Sequence, residues 1–379
     1  MQESFGSPFD PLAVLDIDLA AVADNIRQLQ KRVSPSARVA GVVKADAYGI
    51  GLAEIAALHR QLGTESFFVA TPEEGLRLRG LSGFGAEGGA TLEIAPLCGL
   101  LPGEAGLYRH HALTPVLNSL AQIAEWEKGG GGAPAMLHLD TGMRRLGLDS
   151  GETAHLVAHP ELLDGVNITV LLSHFACADE PENPLTNRQK DDFERFSAGI
   201  YAKKPGIRRS LSNSAGVFAH PACHYELVRP GMAVYGLNPV PGQENPMKSV
   251  VQLRARILQT RKALPGETIG YGATYQCKEM RSLACVALGY ADGFLRSLSN
   301  CGVLFWNGRP CPVLGRVSMD VVSVDITGLT GPAPQAGDWM EVLGQNQSVD
   351  ALAGQAGTIG YEILTSLGAR YRRHYHPAA

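Results

Sequence analysis

From residue 39 to residue 228 the chain alternates short apolar runs with helical segments eight times, and few architectures accept that pattern. The runs fall at residues 39–43, 66–70, 92–95, 113–116, 135–139, 168–172, 210–212 and 226–228. Eight strand–helix units within roughly 200–250 residues outline a parallel α/β TIM (β/α)8 barrel. An open, doubly wound sheet would suit the same alternation, but no G-x-G-x-x-G follows the first run. The barrel is therefore the expected fold. A leading helix over 18–33 places Leu19, Val22, Ile26 and Leu29 on one face, and Thr71-Pro72 opens another in cap-then-proline order.

Beyond about residue 239 the texture changes. Pro239, Pro241, Gly242 and Pro246 make a linker-like stretch. Short β-prone runs follow at 250–258, 283–288, 302–306, 321–326 and 339–343, then helical segments at 352–356 and 359–367. The expectation is an N-terminal TIM barrel over residues 14–240 and a C-terminal mostly-β domain over 241–379, with residues 1–13 able to pack with the second domain. Glycine runs at 83–89 and 129–132 read as loops.

Composition narrows the function. Lys and Arg total 33 against 37 Asp and Glu, a formal charge of −4, so nothing favours nucleic acid or an acidic membrane as partner. Residues 1–11 carry Glu3 and Asp10 and lack the apolar core of a secretory signal. No apolar run approaches the roughly 20 residues that span a bilayer. A cytoplasmic location is expected. The seven cysteines are scattered without a C-x-x-C, which fits reduced thiols and argues against zinc. Cys223-His224 and His374-x-His376 lack further ligands at suitable spacing, so no metal is expected.

In a barrel, the loops at the C-terminal ends of the strands build the site. The first apolar run ends on Lys44, followed by Ala45-Asp46-Ala47-Tyr48-Gly49. A lone lysine there is ordinarily a salt bridge or a snorkelling side chain. This one has company. Asp140, Thr141 and Arg145 follow the fifth run, His174 the sixth, Asn213 and Ser214 the seventh, and Arg229 the eighth. Singly, His174 reads as a hydrogen-bonded core histidine and Arg229 as a strand-end ion pair; jointly they occupy one face. Asn213-Ser214-Ala215-Gly216 offers a hydroxyl and amides where such barrels commonly hold phosphate, and Gly231 permits close backbone approach. An amine, a phosphate site and an arginine without a nucleotide motif point to pyridoxal 5′-phosphate (PLP).

Eight motifs carry a more specific likeness. They are Val43-Lys44-Ala45-Asp46-Ala47-Tyr48-Gly49, Asp140-Thr141-Gly142-Met143-Arg144-Arg145-Leu146-Gly147, Ser173-His174-Phe175-Ala176-Cys177-Ala178-Asp179 and Ser212-Asn213-Ser214-Ala215-Gly216. Further along stand Arg229-Pro230-Gly231-Met232-Ala233-Val234-Tyr235-Gly236, Tyr271-Gly272-Ala273-Thr274-Tyr275, Gly289-Tyr290-Ala291-Asp292-Gly293 and Gly315-Arg316-Val317-Ser318-Met319-Asp320. In this order, across both domains, they resemble the PLP-dependent alanine racemases of the barrel class (fold-type III).

The resemblance implies roles. Lys44 would carry the cofactor covalently and, once freed, act as the base on one face of the substrate Cα, with Tyr271 the base on the other. A phenol with an ordinary pKa near ~10 needs assistance as a base, and the resemblance assigns it to His174 and Arg229. Arg229 would face the pyridine nitrogen, donating a hydrogen bond without surrendering a proton. Tyr48, Ser214, Gly231 and Tyr361 match phosphate-binding positions, with Asn213 beside them. Arg145 matches the residue near the cofactor's phenolic oxygen and the substrate carboxylate, which the Met319 amide shares. Tyr290 and Tyr361 would narrow the entrance, and Asp179, Arg296 and Arg316 would line the outer channel. A head-to-tail homodimer with composite sites is implied, as is interconversion of L- and D-alanine supplying D-alanine for peptidoglycan.

Two positions depart from the pattern. Many members carry a carbamylated lysine where this chain has His138, so Arg145 is expected to be oriented by a small anion or another side chain. Ile50 stands where histidine is frequent. Other enzymes on the scaffold are a basic-amino-acid decarboxylase or a racemase for serine or larger amino acids. Arg229 argues against the decarboxylase, which needs an acid at the pyridine nitrogen. The β domain with Tyr271 argues against a non-catalytic PLP carrier.

Overall fold

The computed structural model describes residues 9–85, 92–180, 182–202 and 204–377 and divides into two compact units. One holds residues 21–248; the other joins residues 1–20 to 249–379. Among the described residues no helix is long and apolar enough to cross a membrane.

The first unit is the expected barrel. Its strands are Arg38–Val39 continued by Gly41–Val42, Ser66–Val69, Glu93–Pro96, Val116–Leu117, Pro134–His138, Asn167–Leu172, Arg208–Ser210 and Leu227–Val228. Neighbours pair in parallel, and the eighth strand returns to the first through Leu227↔Arg38 and Val228↔Val39. Where ladders thin, single bonds complete the ring: the Thr114 amide donates to the Ile94 carbonyl at 2.9 Å and the Arg229 amide to Ser212 at 2.9 Å. Phe67, Ile94, Met136, Val170 and Leu172 are buried on these strands. Each such side chain contributes about 1.5–3 kcal/mol on leaving water. The continuous apolar runs of the sequence reflect a sheet covered on both faces.

The helices end where their chemistry dictates. Leu19–Arg32 buries Val22, Ile26 and Leu29 and closes on Lys31 and Arg32, which complement the negative end of the helix dipole. Asp149 caps Ser150–Ala158 in a reciprocal box with Glu152. Asp149→Ala would cost that helix about 1 kcal/mol. Gly129 closes the helix Leu120–Gly129, so the second glycine run begins inside a helix. Residues 86–89 of the first run lie outside the described residues.

The second unit is built around one long strand, Val251–Ala263. It pairs with Ala13–Asp18, Arg281–Val286 and Trp339–Leu343, all antiparallel, and its register shifts let it serve partners along its whole length. Ala13–Asp18 also pairs in parallel with Arg372–His376. Residues 14–20 thus group with the β unit, whereas the sequence reading begins the barrel at residue 14. The alternation of Leu15 and Ile17 with Asp16 and Asp18 marks a strand, but strand pairing partners lie far along the chain and leave no local signal. Asp16 fastens the join, accepting from Arg254 at 2.9 Å with His376 at 3.0 Å.

Candidate active site

Lys44 follows the first barrel strand, and the backbone beyond it does something the sequence did not announce. Ala45, Asp46, Ala47 and Tyr48 all have φ between 52° and 58°, a left-handed helical turn without a glycine. Non-glycine residues enter that region at about 1–2 kcal/mol each. The turn is held internally by the Ala47 amide to Val43 (2.9 Å) and the Gly49 amide to Ala45 (2.8 Å). The Asp46 carboxylate accepts from the Leu52 amide at 3.0 Å. Such concentrated strain is a mark of functional positions. Here it sets the direction in which the lysine leaves the strand.

Around the barrel mouth the structure brings Lys44, His138, Arg145, His174 and Arg229 into one electrostatic neighbourhood. Burial, then the Arg145 charge, lowers the Lys44 amine below its ordinary range, with Glu74 opposing. Arg229 is buried, and desolvation brings it down to about 10. Its Nη1 donates to the Ser210 carbonyl at 3.1 Å and to the Ser210 hydroxyl. Its Nη2 donates to the Ser173 carbonyl and, at 3.2 Å, to His174 Nδ1. Guanidinium cannot accept, so His174 Nδ1 is the acceptor and its proton sits on Nε2. Burial first, then the Arg229 charge, holds His174 neutral, well below the usual imidazole range.

His138 resolves in the same manner. The Asn118 side-chain amide donates to the carbonyls of Leu97 (3.2 Å) and Val116 (2.9 Å), which leaves Asn118 Oδ1 as acceptor. His138 Nδ1 stands 2.8 Å from that oxygen and must donate. His138 is thus neutral with a bare Nε2, and desolvation, then Arg229, presses it down to about 3. Arg145 is exposed and has no hydrogen-bond partner among the described residues. Asp140 spends one oxygen on the amides of Gly142 (2.9 Å) and Arg144 (3.0 Å), shaping the loop that carries Arg145.

The loops after strands seven and eight form a cradle. Asn213 caps Ser214–Ala219 by accepting from the Gly216 amide at 3.0 Å, and buried Ser214 Oγ accepts from the Ala233 amide at 3.2 Å. A Cβ on Gly231 would lie 2.2 Å from the Tyr48 hydroxyl, so only glycine fits. Tyr48 in turn stacks on Tyr235 with ring centroids 4.4 Å apart. Asp179, on the loop after strand six, is exposed. These residues fit PLP on three counts. The mouth gathers three cationic side chains that an anionic group would balance, Lys44 supplies an amine, and Arg229 Nε has no protein partner among the described residues. That nitrogen is a donor suited to a ring nitrogen.

Within the β unit, Tyr271 heads a short turn between the strands Thr268–Ile269 and Tyr275–Gln276. A small core of Ala263, Ile269, Cys277, Leu283 and Leu314 supports it, yet Tyr271 itself is 72% exposed. A Cβ on Gly272 would meet Arg316 Nη1 at 2.8 Å, which places that exposed arginine against the turn. Tyr290 and Met319 are also exposed and adjoin, the Tyr290 amide donating to Ser318 and the Ala291 amide to Met319. Arg370 ties this corner down, donating to Asp292 and Asp320 at 2.7 Å each. Arg296 is exposed in Arg296–Leu298, and Tyr361 lies half-buried in Gly360–Thr365.

Known proteins resemble this chain along nearly its whole length. Residues 17–239 match the family model "Alanine racemase, N-terminal domain" and residues 250–375 match "Alanine racemase, C-terminal domain". The chain belongs to the alanine racemase family. It is 47% identical over 362 residues to an alanine racemase of Acidiphilium cryptum, covering 95% of this chain and 97% of that protein. It is 43% identical to a catabolic alanine racemase of Mesorhizobium japonicum over 96% of this chain and 93% of that one. Among solved structures, the alanine racemase of Bartonella henselae, with covalently bound pyridoxal phosphate, superposes with a TM-score of 0.90 at 36% identity. That match covers 97% of this chain and all of the other.

Three contributors escaped the sequence reading. Glu74, Asn118 and Gln189 are not singled out there. Buried Gln189 accepts from the Ala176 amide (2.9 Å) and donates to the His174 carbonyl (2.9 Å), bolting the His174 loop to the helix Pro184–Tyr201. Asn118, directly beyond the fourth strand, occupied a position that the barrel rule would have flagged.

Proposed function

We propose that this protein interconverts L- and D-alanine with PLP held on Lys44, Lys44 and Tyr271 serving as bases on opposite faces of the substrate. The observation that carries the reading is Arg229, buried with four donated hydrogen bonds and Nε left over, in a ring with Lys44 and a neutral His174. When bound, the cofactor supplies the electron-withdrawing system that makes the α-hydrogen acidic. The lowered Lys44 amine favours the neutral form that can take a proton. His174 offers an Nε2–H that stabilises the Tyr271 phenolate, and Arg229 fixes the tautomer that makes this possible. Arg229 is lowered only to about 10, so at neutral pH it donates to the ring nitrogen without protonating it. Restricting charge spread into the ring favours return of the proton over side reactions.

Tyr48, Asn213, Ser214, Gly231 and Tyr361 hold the phosphate, and Arg145 with the Met319 amide holds the substrate carboxylate. A small anion between Arg145 and its loop, or another side chain, orients Arg145 in place of a carbamate. Tyr290, Asp179, Arg296 and Arg316 form the entrance. The exposed corner of Tyr271, Tyr290 and Met319 favours a head-to-tail homodimer in which a second copy covers it. The product supplies D-alanine for peptidoglycan in the cytoplasm.

The test uses the whole protein with added PLP. Borohydride treatment should fix the cofactor on Lys44, and L-alanine in D2O should exchange its α-hydrogen while losing optical activity. Exchange with serine but not alanine would overturn the substrate. Tyr271→Phe should slow abstraction from one enantiomer far more than from the other; equal small losses would remove Tyr271 from its role.

A further inference from the structure

In the strained turn after Lys44 the first amide finds its partner outside the turn. Ala45, the residue beside the lysine, donates to Glu74 Oε1 at 2.8 Å. The other oxygen of the same carboxylate accepts from the Ala70 amide at 2.7 Å. Ala70 directly follows the second barrel strand, Ser66–Val69, so one side chain spans the mouths of strands one and two. Glu74 reaches both because Thr71 caps and Pro72 starts the helix Pro72–Arg79, which seats Glu74 in its first turn. In that position a glutamate commonly turns back on its own cap. Here both oxygens leave the helix.

We propose that Glu74 is the positioning residue for Lys44, clamping the left-handed turn through the Ala45 amide and placing a negative charge beside the lysine amine. The inference rests on Lys44 being the cofactor-bearing lysine. The need for such a clamp follows from the four left-handed residues, whose conformation must be held by surrounding structure. The need for the charge follows from the company. Arg145 faces the lysine region from the loop after strand five, Arg229 from the end of strand eight, and the neutral His138 and His174 from strands five and six. Asp46, on the lysine's own turn, is engaged with the Leu52 amide. Arg145 lowers the lysine and Glu74 raises it. Removing Glu74 therefore leaves the amine in an uncompensated positive field.

Amide hydrogen exchange in the protein without added cofactor reads the clamp directly. Glu74→Gln, which keeps the shape but loses the charge and one acceptor, should speed exchange at Ala45 or Ala70 by roughly ten- to a hundred-fold, as expected for one lost charge-assisted bond. The charge is read from the pH at which PLP becomes trapped on Lys44 by borohydride. Loss of the carboxylate lowers the lysine pKa, so the trapping midpoint should move to lower pH, and Glu74→Asp should return it toward the native value. A variant with native exchange at both amides, or with reduced trapping at every pH and an unmoved midpoint, overturns the proposal. Should Glu74→Gln fail to fold, the same two readouts on Glu74→Asp decide, through the weaker clamp of a shorter side chain. If the native protein traps nothing on Lys44, the racemase reading itself fails, whereas the exchange result still reports on the clamp.

Discussion

Ala45→Gly tests the left-handed turn by the sign of its effect. In a right-handed helix, replacing an exposed alanine by glycine costs about 1 kcal/mol. Ala45 is exposed, has φ 53° and gives its amide to Glu74, a bond that glycine keeps. Glycine recovers the roughly 1–2 kcal/mol that an L-residue spends in this conformation. It forfeits about 0.5–1 kcal/mol through the greater freedom of the unfolded chain. The net is a stabilisation of about 0.5–1 kcal/mol, or roughly 1–4 °C in the melting temperature of a unit this size. The control is Ala57→Gly, exposed inside the helix Leu52–Gln61, which should lose about 1 kcal/mol. Calorimetry on the pair, at one pH and without cofactor, is the assay. If the two substitutions destabilise alike, the turn is not left-handed in solution and the argument for stored strain beside Lys44 collapses. Turnover of the Ala45 variant should fall despite its higher stability, because freedom returns to the residue next to the lysine.

Gly231→Ala should press a methyl group onto the Tyr48 hydroxyl, 2.2 Å from its ideal position, while Tyr235 stacked behind the ring limits retreat. An overpacking cost of about 1–3 kcal/mol weakens PLP binding roughly ten- to a hundred-fold; unchanged affinity in a fluorescence titration would remove this corner from the phosphate site. His59 supplies a pH prediction. It is fully buried, its Nε2 has no partner among the described residues, and desolvation lowers it to about 4 from an ordinary 6.5. The unfolded chain therefore binds the proton first, so this contribution to stability is complete above pH 6.5 and is lost as pH falls toward 4. At ~1.4 kcal/mol per unit the loss reaches about 3 kcal/mol. Denaturant titrations across that window should show the slope, and His59→Gln should reduce it by one proton's share while the buried His138 and His174 keep theirs; an unaltered slope would place the proton elsewhere.

The barrel was legible in the sequence because each of its eight strands is a local event. Buried strands such as Ser66–Val69 are apolar over most of their length, and parallel neighbours follow in chain order, so periodicity alone orders them. The candidate positions at the barrel mouth were legible for the same reason, since the ends of such strands share one face. What the sequence left open needed partners distant along the chain. Ala13–Asp18 looks like any amphipathic strand, and only its pairing with Val251–Ala263 and Arg372–His376 moves it into the β unit. The tautomers of His138 and His174 are set by Asn118 and Arg229, side chains that approach only once the barrel closes. The turn after Lys44 shows the division most plainly. Composition determined that an apolar strand would end on a lysine and a polar turn. That four L-residues there run left-handed was decided by tertiary structure, because such a conformation is locally unfavourable and persists only where bonds from elsewhere, Glu74 among them, outweigh its cost.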